Sequence, residues 1–533
     1  MSLTSFSFIL FCAAVTLFYF LVPKKYQWGV LLLASMVFYI IFTGFQSVYI
    51  VITALSTWYA TRQMVAIDHH QKQYLKAHKA ELSKEEKSAF KKAQARKRKA
   101  WLVGTLLLNF GMLCFFKYFN FILSSLNQVL ELLQTGQQVG LLYNLIIPLG
   151  ISFYTFQTMG CLIDTYWQKY EPEKNFFKFL LFVSFFPQLT QGPINKYEDL
   201  AGQLTAEHKF DYHNFSYGCQ RMLWGFLKKM VIADRLFFYV TEITDCYTDY
   251  VGPIVLLGAF MYALQIYADF SGYMDIVCGL CQIWGIKLTE NFLRPYFSKS
   301  IAEYWRRWHI SLGVWFKDYI YYPIAVSGFA RVLGKKGKKI FGNHIGKLLP
   351  ATAALVVTWL TTGLWHGASW AYIVWGGVNG LIIIFSMQME PLYEKAKKAL
   401  RVNESAWSWR AFQTLRTFLL VTLIKVFPEV GSLRDGLGFW RQMLVGWQIP
   451  SGLAELKSWA IPQIRDYDYM IFLLGALLIF VTSMIQRKQS LRDYVGKWPR
   501  VLRYALFVAM FYVILIFGVS VADGAGVFLY AQF

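Results

Sequence analysis

Charged residues are scarce in this 533-residue sequence and make up only 16% of the chain. A soluble domain usually carries about 25% Asp, Glu, Lys and Arg, so the composition argues against an ordinary soluble enzyme. Hydrophobic residues reach 56% and aromatic residues 18%, and Trp and Tyr are enriched where a membrane meets water. The composition therefore predicts a polytopic integral membrane protein.

Common catalytic signatures are also missing. The sequence has no HExxH, GxSxG, Walker or GxGxxG motif, which argues against a zinc protease, a serine hydrolase and a nucleotide-binding motif. Six of the seven cysteines lie in or beside apolar runs, including the Cys278 and Cys281 pair. We therefore expect packing residues rather than a disulfide framework, a redox pair or a metal site.

Positive charge is in excess, with a formal net charge of +22. The basic residues cluster in short loops between apolar segments, as the positive-inside rule predicts, so we expect no nucleic-acid partner. Segment 66–100 holds eleven Lys and Arg against four acids, and we predict a mostly helical cytoplasmic loop there. Loops 389–410 and 487–500 are also basic. Loop 124–140 has no Lys or Arg, so it and both termini are predicted outside. Contact with anionic membrane lipids is the alternative role of the basic loops.

About 20 mainly apolar residues are needed to cross a membrane as a helix. Residues 1–7 lack the basic start of a cleaved signal peptide, so 6–22 is predicted to be the first span. The complete set gives about 11 to 13 transmembrane helices. The predicted spans are 6–22, 27–44, 46–65, 101–122, 141–163, 176–190, 214–240, 252–284, 348–365, 369–388, 411–428, 470–486 and 501–520.

Polar residues interrupt the apolar span around Gln265–Asp275. On a helix, Gln265 and Asp269 are neighbours four residues apart, and Ser271 and Asp275 form a second such pair. Buried polar residues in membrane helices are expensive and usually face a cavity or a partner. Two interpretations remain open here, a polar cluster that holds helices together and a direct contact with substrate.

Segment Ile301–Pro323 combines aromatic residues at helical spacing with several charges. It is too charged for an ordinary span, and we predict an interfacial or re-entrant helix. His309 follows Arg306 by three residues, so the two are expected to share a helix face. A membrane-surface helix without chemistry is the alternative to a functional His309.

The apolar segment Thr358–Trp370 contains one ionisable residue, His366, among the small residues Gly363, Gly367, Ala368 and Ser369. Glycine lets a ligand or another backbone approach closely. Burial favours the neutral imidazole, which can take a proton from a hydroxyl as a general base. A histidine that only hydrogen-bonds between helices fits the same composition.

Several long motifs in order resemble the membrane-bound O-acyltransferase (MBOAT) family, in its bacterial branch of alginate O-acetylation and D-alanyl-lipoteichoic-acid transfer proteins. Resemblance is strongest over about 145–390 and extends loosely over nearly the whole chain. The matching stretches are 117–121, 185–194, 267–276, 290–324, 362–380 and, for the alginate type, 526–533.

The resemblance implies a single membrane domain over 1–533. Residues 1–144 form N-terminal helices, 145–390 the catalytic core and 391–533 C-terminal helices, with re-entrant or interfacial helices in a ring of tilted helices around a tunnel. His366 corresponds to the histidine of the family's active site, and His309 to its second position. The substrate-binding residues predicted within or next to the matching motifs are Gln265, Asp269, Ser271, Trp305, Arg306, Trp365 and Asn379.

The same resemblance implies an enzyme of a bacterial inner (cytoplasmic) membrane. An acyl thioester, acetyl-CoA or an acyl carrier protein, is used on the cytoplasmic side, and no metal or permanently bound cofactor is expected. Arg306, Arg307 and the basic loops would attract this anionic donor. A separate extracytoplasmic SGNH-type acyltransferase passes the acyl group, most simply acetyl, to a polysaccharide.

Other functions fit parts of the sequence. D-alanyl or other acyl transfer to a cell-wall polymer uses the same motifs, and no stretch selects the polymer. A transporter of polymer or lipid would suit the intramembrane Asp269 and Asp275, although no inverted repeat is apparent. A non-catalytic scaffold for a secretion complex would tolerate substitution of both His309 and His366.

Overall fold

The computed structural model describes residues 4–142, 146–448, 450–452, 459 and 466–519. Within these ranges the chain is helical, and the only β-type pairing is an isolated bridge between Phe292 and Trp308. The predicted all-α, polytopic class is confirmed. The matching stretch at 526–533 lies outside the described residues, and the ring around a tunnel stays a prediction.

The helices vary from single turns to long rods. The α-helices are α1 Phe6–Leu21, α2 Gln27–Thr43, α3 Ser47–Ala77, α4 Lys84–Leu132, α5 Ile151–Tyr166, α6 Phe176–Ser184, α7 Phe186–Leu189, α8 Tyr197–Thr205, α9 Tyr212–Phe226, α10 Asp234–Asp245, α11 Gly252–Ile283, α12 Ile301–Trp305, α13 Ile310–Phe316, α14 Tyr322–Ala325, α15 Gly328–His366, α16 Trp370–Gln388, α17 Glu390–Ala399, α18 Trp407–Lys425, α19 Leu433–Val445, α20 Asp466–Ile485, α21 Leu491–Gly496 and α22 Arg500–Phe517. Short 3₁₀ turns occur at Lys24–Tyr26, Gly44–Gln46, Tyr247–Asp249 and Pro295–Phe297, and π-helical turns at Leu227–Ala233 and Lys317–Tyr321.

Seven helical segments among the described residues are long and apolar enough to cross a membrane. One of them, Lys24–Ala77, contains two predicted spans, 27–44 and 46–65. The predicted spans that lie outside these seven segments fall on shorter, interrupted or more polar helices. The seven segments are Lys24–Ala77, Lys84–Leu132, Gly252–Ile283, Gly328–His366, Trp370–Gln388, Tyr467–Ile485 and Arg500–Phe517.

Two boundaries differ from the sequence prediction. Helix α4 continues to Leu132, so the first half of the predicted outer loop 124–140 is helical. The predicted span 176–190 is two short helices, α6 and α7, because Pro187 starts a new turn.

The basic segment 66–100 is helical as predicted, apart from residues 78–83. Ser83 accepts a hydrogen bond from the Glu86 backbone, and the Glu86 carboxylate accepts one from the Ser83 backbone.

The described residues cluster into two compact units. The first takes in the residues up to Ile9, Phe215–Leu280 and the residues from Glu290 onward. The second takes in Leu10–Asn214 and Cys281–Thr289. Every residue of the candidate site below belongs to the first unit, and the predicted subdivision at 144 and 390 stays a prediction.

Helices α15 and α16 form a closely packed pair in the first unit. A Cβ on Gly363 would clash with the backbone of Tyr372, and a Cβ on Gly376 with the carbonyl oxygen of Trp359. Small residues let membrane helices approach this closely, where van der Waals packing replaces the hydrophobic effect. The first half of α15 is separated from the second by Gly342, whose φ of 81° breaks the helix.

Helices α9 and α10 are joined by the π-helical turn Leu227–Ala233. The turn packs against α11, and just before it Gly225 of α9 meets Gly272 so closely that a Cβ on Gly225 would lie 2.6 Å from the Gly272 carbonyl oxygen. π-Helical turns are rare and are frequently found at functional sites. This turn contains Lys228 and Lys229, which both belong to the first unit.

Candidate active site

His366 is the last residue of α15 and only 3% exposed. Its Nδ1 lies 2.7 Å from the carbonyl oxygen of Thr362. A carbonyl can only accept, so Nδ1 carries the proton and Nε2 holds the lone pair of the neutral ring. Gly367 then ends the helix, and the Ser369 hydroxyl caps α16 by accepting from the Tyr372 backbone. The sequence Thr-Gly-Leu-Trp-His-Gly thus fixes one imidazole at a helix end with its lone pair on Nε2.

His309 lies at a break in the chain and not on a continuous helix. The predicted helix over Ile301–Pro323 is divided into α12, α13, a π-helical turn and α14, so the expectation that Arg306 and His309 share a helix face is wrong. His309 has left-handed φ and ψ values of 48° and 52°, which cost a non-glycine residue about 1–3 kcal/mol. Such strain persists only where the surroundings enforce it, and it is concentrated at functional sites.

Asn291 enforces this conformation. Its side-chain oxygen accepts from the Ser311 backbone at 2.8 Å, and its carbonyl accepts from the Ile310 backbone at 3.2 Å. Two N–H groups at the start of α13 are satisfied in this way. Trp308, which pairs with Phe292 and is fully buried, anchors the other side of His309.

Aromatic rings bring the two histidines into one site. The ring of Trp365 has its centroid 5.9 Å from that of His309 and 5.0 Å from that of His366. Phe270 of α11 packs edge-on against His309 at 4.9 Å, and Trp375 of α16 packs against His366 at 4.8 Å. The two imidazoles, 1% and 3% exposed, are therefore enclosed by the same aromatic cluster.

Two further predicted residues join this cluster. The Trp305 indole N–H donates to the side-chain oxygen of Asn379 at 3.0 Å, and the Trp305 ring packs on Trp375 at 5.5 Å. Trp305, Asn379, Trp365, His309 and His366 are thus brought together by the fold. Arg306 is exposed at the break.

The polar residues of α11 bond to cations that the sequence interpretation missed. Lys229 lies 2.5 Å from Asp269 and 2.6 Å from Asp234, all three buried. Lys228 bonds to Ser271 at 2.9 Å and to Asp275 at 2.7 Å. These contacts favour the interpretation that the polar cluster holds helices together. Two adjacent lysines inside the predicted span 214–240 were the available signal, because intramembrane cations need partners.

Gln265 is buried on α11, one turn before Asp269. The predicted pair of Gln265 and Asp269 lies on one helix, and Asp269 bonds to Lys229. Phe270, which follows Asp269, contacts His309. The α11 segment therefore contributes to the site an apolar ring that the sequence pattern did not single out.

A cavity of about 590 Å³ lies against α20, α21 and α22. Phe292 and Ile310 are among its lining residues, and Ile310 follows His309 in the chain. Arg221, Arg294 and Arg492 also line it. Arg221 bonds to Asp275 at 2.8 Å and to Glu290 at 2.6 Å. A smaller polar cavity of about 110 Å³, lined by Lys228, Ser271 and Asn291 among others, shares Arg221 and Phe292 with the larger one.

Lys425, the last residue of α18, is a further lysine that the sequence interpretation missed. It is 5% exposed, and its Nζ lies over the Trp308 ring, 2.9 Å from the centroid, and 5.6 Å from that of Tyr304. Within the described part of the chain, this Nζ has no hydrogen-bond acceptor. A buried amine packed against aromatic faces therefore lies behind the residue that precedes His309.

Comparison with known proteins gives a family match. The model of the MBOAT, membrane-bound O-acyltransferase family matches residues 173–335. The matched residues include His309 and the polar segment of α11, and they end before His366.

The relatives extend this similarity over most of the chain. The probable alginate O-acetylase AlgI of Pseudomonas putida is 32% identical over 383 residues, 69% of this chain and 72% of that protein. Its Pseudomonas aeruginosa counterpart is 31% identical, over 72% of this chain and 66% of that protein. The peptidoglycan O-acetyltransferase of Helicobacter pylori is 30% identical, over 65% of each.

Proposed function

This chain belongs to the membrane-bound O-acyltransferase family, and from that premise we propose that it moves an acetyl group from a cytoplasmic thioester to a hydroxyl, for O-acetylation of an extracytoplasmic polysaccharide. His366 is the general base of this reaction. The observation that carries the proposal is the bond from His366 Nδ1 to the Thr362 carbonyl, which leaves the lone pair on Nε2, beside a second buried imidazole.

The chemistry needs one proton transfer in each direction. Nε2 of His366 takes the proton of the acceptor hydroxyl as the oxygen attacks the thioester carbonyl carbon. The carbon–sulfur bond then breaks, and the imidazolium returns the proton to the leaving thiolate. General-base catalysis of this kind contributes about 10² to 10⁴ in rate. His309 positions the acceptor or donates a hydrogen bond to the carbonyl oxygen as negative charge develops there.

The larger cavity suits the donor thioester. Its lining includes Arg492 of α21, within the basic loop 487–500 that is predicted to be cytoplasmic. The lining also includes Phe292 and Ile310, and Ile310 is the residue that follows His309. Arginines attract the phosphates of acetyl-CoA or of the phosphopantetheine arm of a carrier protein. The acyl group then leaves as the ester of the acceptor oxygen, and the thiol half of the donor stays on the cytoplasmic side, because its charged groups cannot enter a hydrocarbon layer.

The acceptor side lies outside the cell in this proposal. The chain is placed in a bacterial inner membrane, and an extracytoplasmic SGNH-type acyltransferase receives the acetyl group and passes it to the polymer. The names of the relatives, alginate O-acetylase and peptidoglycan O-acetyltransferase, support an extracytoplasmic polysaccharide. D-alanyl transfer to a cell-wall polymer uses the same site chemistry and is the alternative to acetyl transfer.

The role of His366 is tested by comparing substitutions of two histidines in α15. His366→Ala should reduce thiol release from acetyl-CoA by at least 10²-fold in proteoliposomes that contain the partner transferase, and should abolish polymer acetylation in cells. His344→Ala is the control, since His344 is exposed on α15 and bonds to the Gln388 carbonyl. It should retain both activities.

The outcome also decides between function classes. Normal acetylation by a well-inserted His366→Ala protein would refute the general base. Purified protein that moves a polymer or lipid across vesicles without consuming any thioester would favour a transporter. That class draws little support from Asp269 and Asp275, because both bond to buried or partly buried cations.

A further inference from the structure

Aromatic rings pack against both imidazoles. Trp365 contacts both histidines, Phe270 closes the side of His309, and Trp375 closes the side of His366. A reacting carbonyl carbon has to come within about 3–3.5 Å of the attacking oxygen. The oxygen is held at His366, so the chain of the acyl group beyond that carbon has to fit between the imidazoles and these rings.

The walls of this space are stiff. Gly363, two residues before Trp365, lies against the Tyr372 backbone with no room for a Cβ. Gly376, next to Trp375, lies equally close to the Trp359 carbonyl. The bond from Trp305 to Asn379 fixes the ring that packs on Trp375. Because α15 and α16 are already at contact distance, neither Trp365 nor Trp375 can retreat without separating two packed backbones.

We propose that Trp365 sets the size of the transferred acyl group, by admitting an acetyl methyl and excluding longer linear chains. The proposal rests on the function proposed above and adds which side chain selects the donor. The step itself is unchanged: the acceptor oxygen bonds to the carbonyl carbon, the carbon–sulfur bond breaks, and the proton passes through His366. Each methylene added to the acyl group would have to occupy the volume of the indole that spans both imidazoles.

The role of Trp365 is tested by a selectivity ratio, the kcat/KM for butyryl-CoA divided by the kcat/KM for acetyl-CoA. The ratio is measured for the unsubstituted protein, Trp365→Phe and Trp365→Ala, each in proteoliposomes with the partner transferase. One methylene is worth about 10–200-fold in an apolar pocket. The unsubstituted protein should therefore prefer acetyl-CoA by at least 10²-fold, and Trp365→Ala should raise the ratio at least tenfold, with Trp365→Phe between them.

Trp359→Phe is the matched control. Trp359 is a buried tryptophan of the same helix that packs on Trp305 at 5.1 Å and contacts neither imidazole ring in the described structure. Its substitution should leave the ratio within about twofold of the unsubstituted value. A ratio is independent of the fraction of folded protein, since both donors are turned over by the same molecules.

The outcomes separate the two proposals. No thioester turnover by the unsubstituted protein with either donor contradicts the proposed function. Acetyl turnover with an equal rate for butyryl-CoA, or with a ratio that Trp365→Ala leaves unchanged, overturns the role of Trp365. If both substitutions abolish turnover, the same ratio is taken from the dissociation constants of non-hydrolysable acetyl and butyryl thioether analogues, and an unchanged ratio again overturns it.

Discussion

Replacing Lys425 by methionine should make the protein more stable and less active. Nζ of Lys425 is buried against Trp308 and Tyr304, without a hydrogen-bond acceptor among the described residues. Met has a similar length, no ionisable group and favourable contacts with aromatic rings. The substitution therefore keeps the packing and removes the buried amine.

The magnitude follows from opposing contributions. Burying a lysine amine costs several kcal/mol, either as desolvation of the ammonium or as loss of its proton. If the proton is kept, a desolvated cation–π contact returns about 2 kcal/mol, and a cation at a helix C-terminus about 0.3–1 kcal/mol. The residual cost of the buried amine is thus about 1–3 kcal/mol, and Lys425→Met should increase the free energy of unfolding by that amount.

Activity should change in the opposite direction. Lys425 holds the face of Trp308, and Trp308 anchors the strained backbone of His309. A displacement of about 1 Å at a reacting group costs about 10²-fold. We expect kcat for acetyl-CoA to fall 10- to 100-fold with little change in KM, and Lys425→Arg, which keeps a cation over the ring, to retain more activity than Lys425→Met.

The assay pairs unfolding in detergent micelles with thioester turnover in proteoliposomes. Lys317→Met is the control, because the Lys317 side chain is 52% exposed and its nearest carboxylate, on Asp318, is 3.9 Å away. It should change the free energy of unfolding by no more than about 0.5 kcal/mol. A Lys425→Met protein that is less stable than the unsubstituted chain, or that is fully active, would refute the reasoning.

Three further substitutions test the packing. Gly376→Ala should destabilise the protein by about 1–3 kcal/mol, because its Cβ meets the Trp359 carbonyl, whereas Gly377→Ala, with its nearest contact at 3.8 Å, should be neutral or slightly stabilising in thermal unfolding. Asn379→Ala should lower kcat by freeing the Trp305 indole, with a loss of about 1–3 kcal/mol of stability for the unpaired N–H, measured by the same melts. Lys229→Met should cost about 3–5 kcal/mol and reduce the yield of monodisperse protein, since two buried carboxylates lose their cation.

Much of the helical architecture follows from the sequence. Apolar runs of about 20 residues predicted α11, α16, α20 and α22 within a few residues, because a helix is the way a single segment satisfies its backbone in lipid. The ends of the helices were harder to predict from the sequence. The extension of α4 to Leu132 and the split of the predicted span 176–190 depend on local bonding that apolarity does not encode.

The candidate site was only partly predictable. His366 could be selected because one ionisable residue in a small, apolar segment is conspicuous. The conformation of His309 could not, since it depends on bonds from Asn291, eighteen residues away, and on a bridge between Phe292 and Trp308. The pairing of Lys228 and Lys229 with acidic residues of α11 depends on how two helices pack against each other. The periodicity of one helix does not contain this information.

The π-helical turn Leu227–Ala233 lets the chain hold one residue more than a regular helix would, without changing the faces that α10 presents. A π-turn closes its hydrogen bond one residue later than an α-helix does, so it absorbs one residue beyond the α-helical repeat. Deleting a single residue of the turn, other than its two lysines, would restore a regular helix and leave the residues of α10 in register. The same deletion inside α10 would rotate every later residue of that helix by about 100°. The turn is therefore the place in this segment where a change of length is best tolerated, whereas the identity of its lysines is strictly specified.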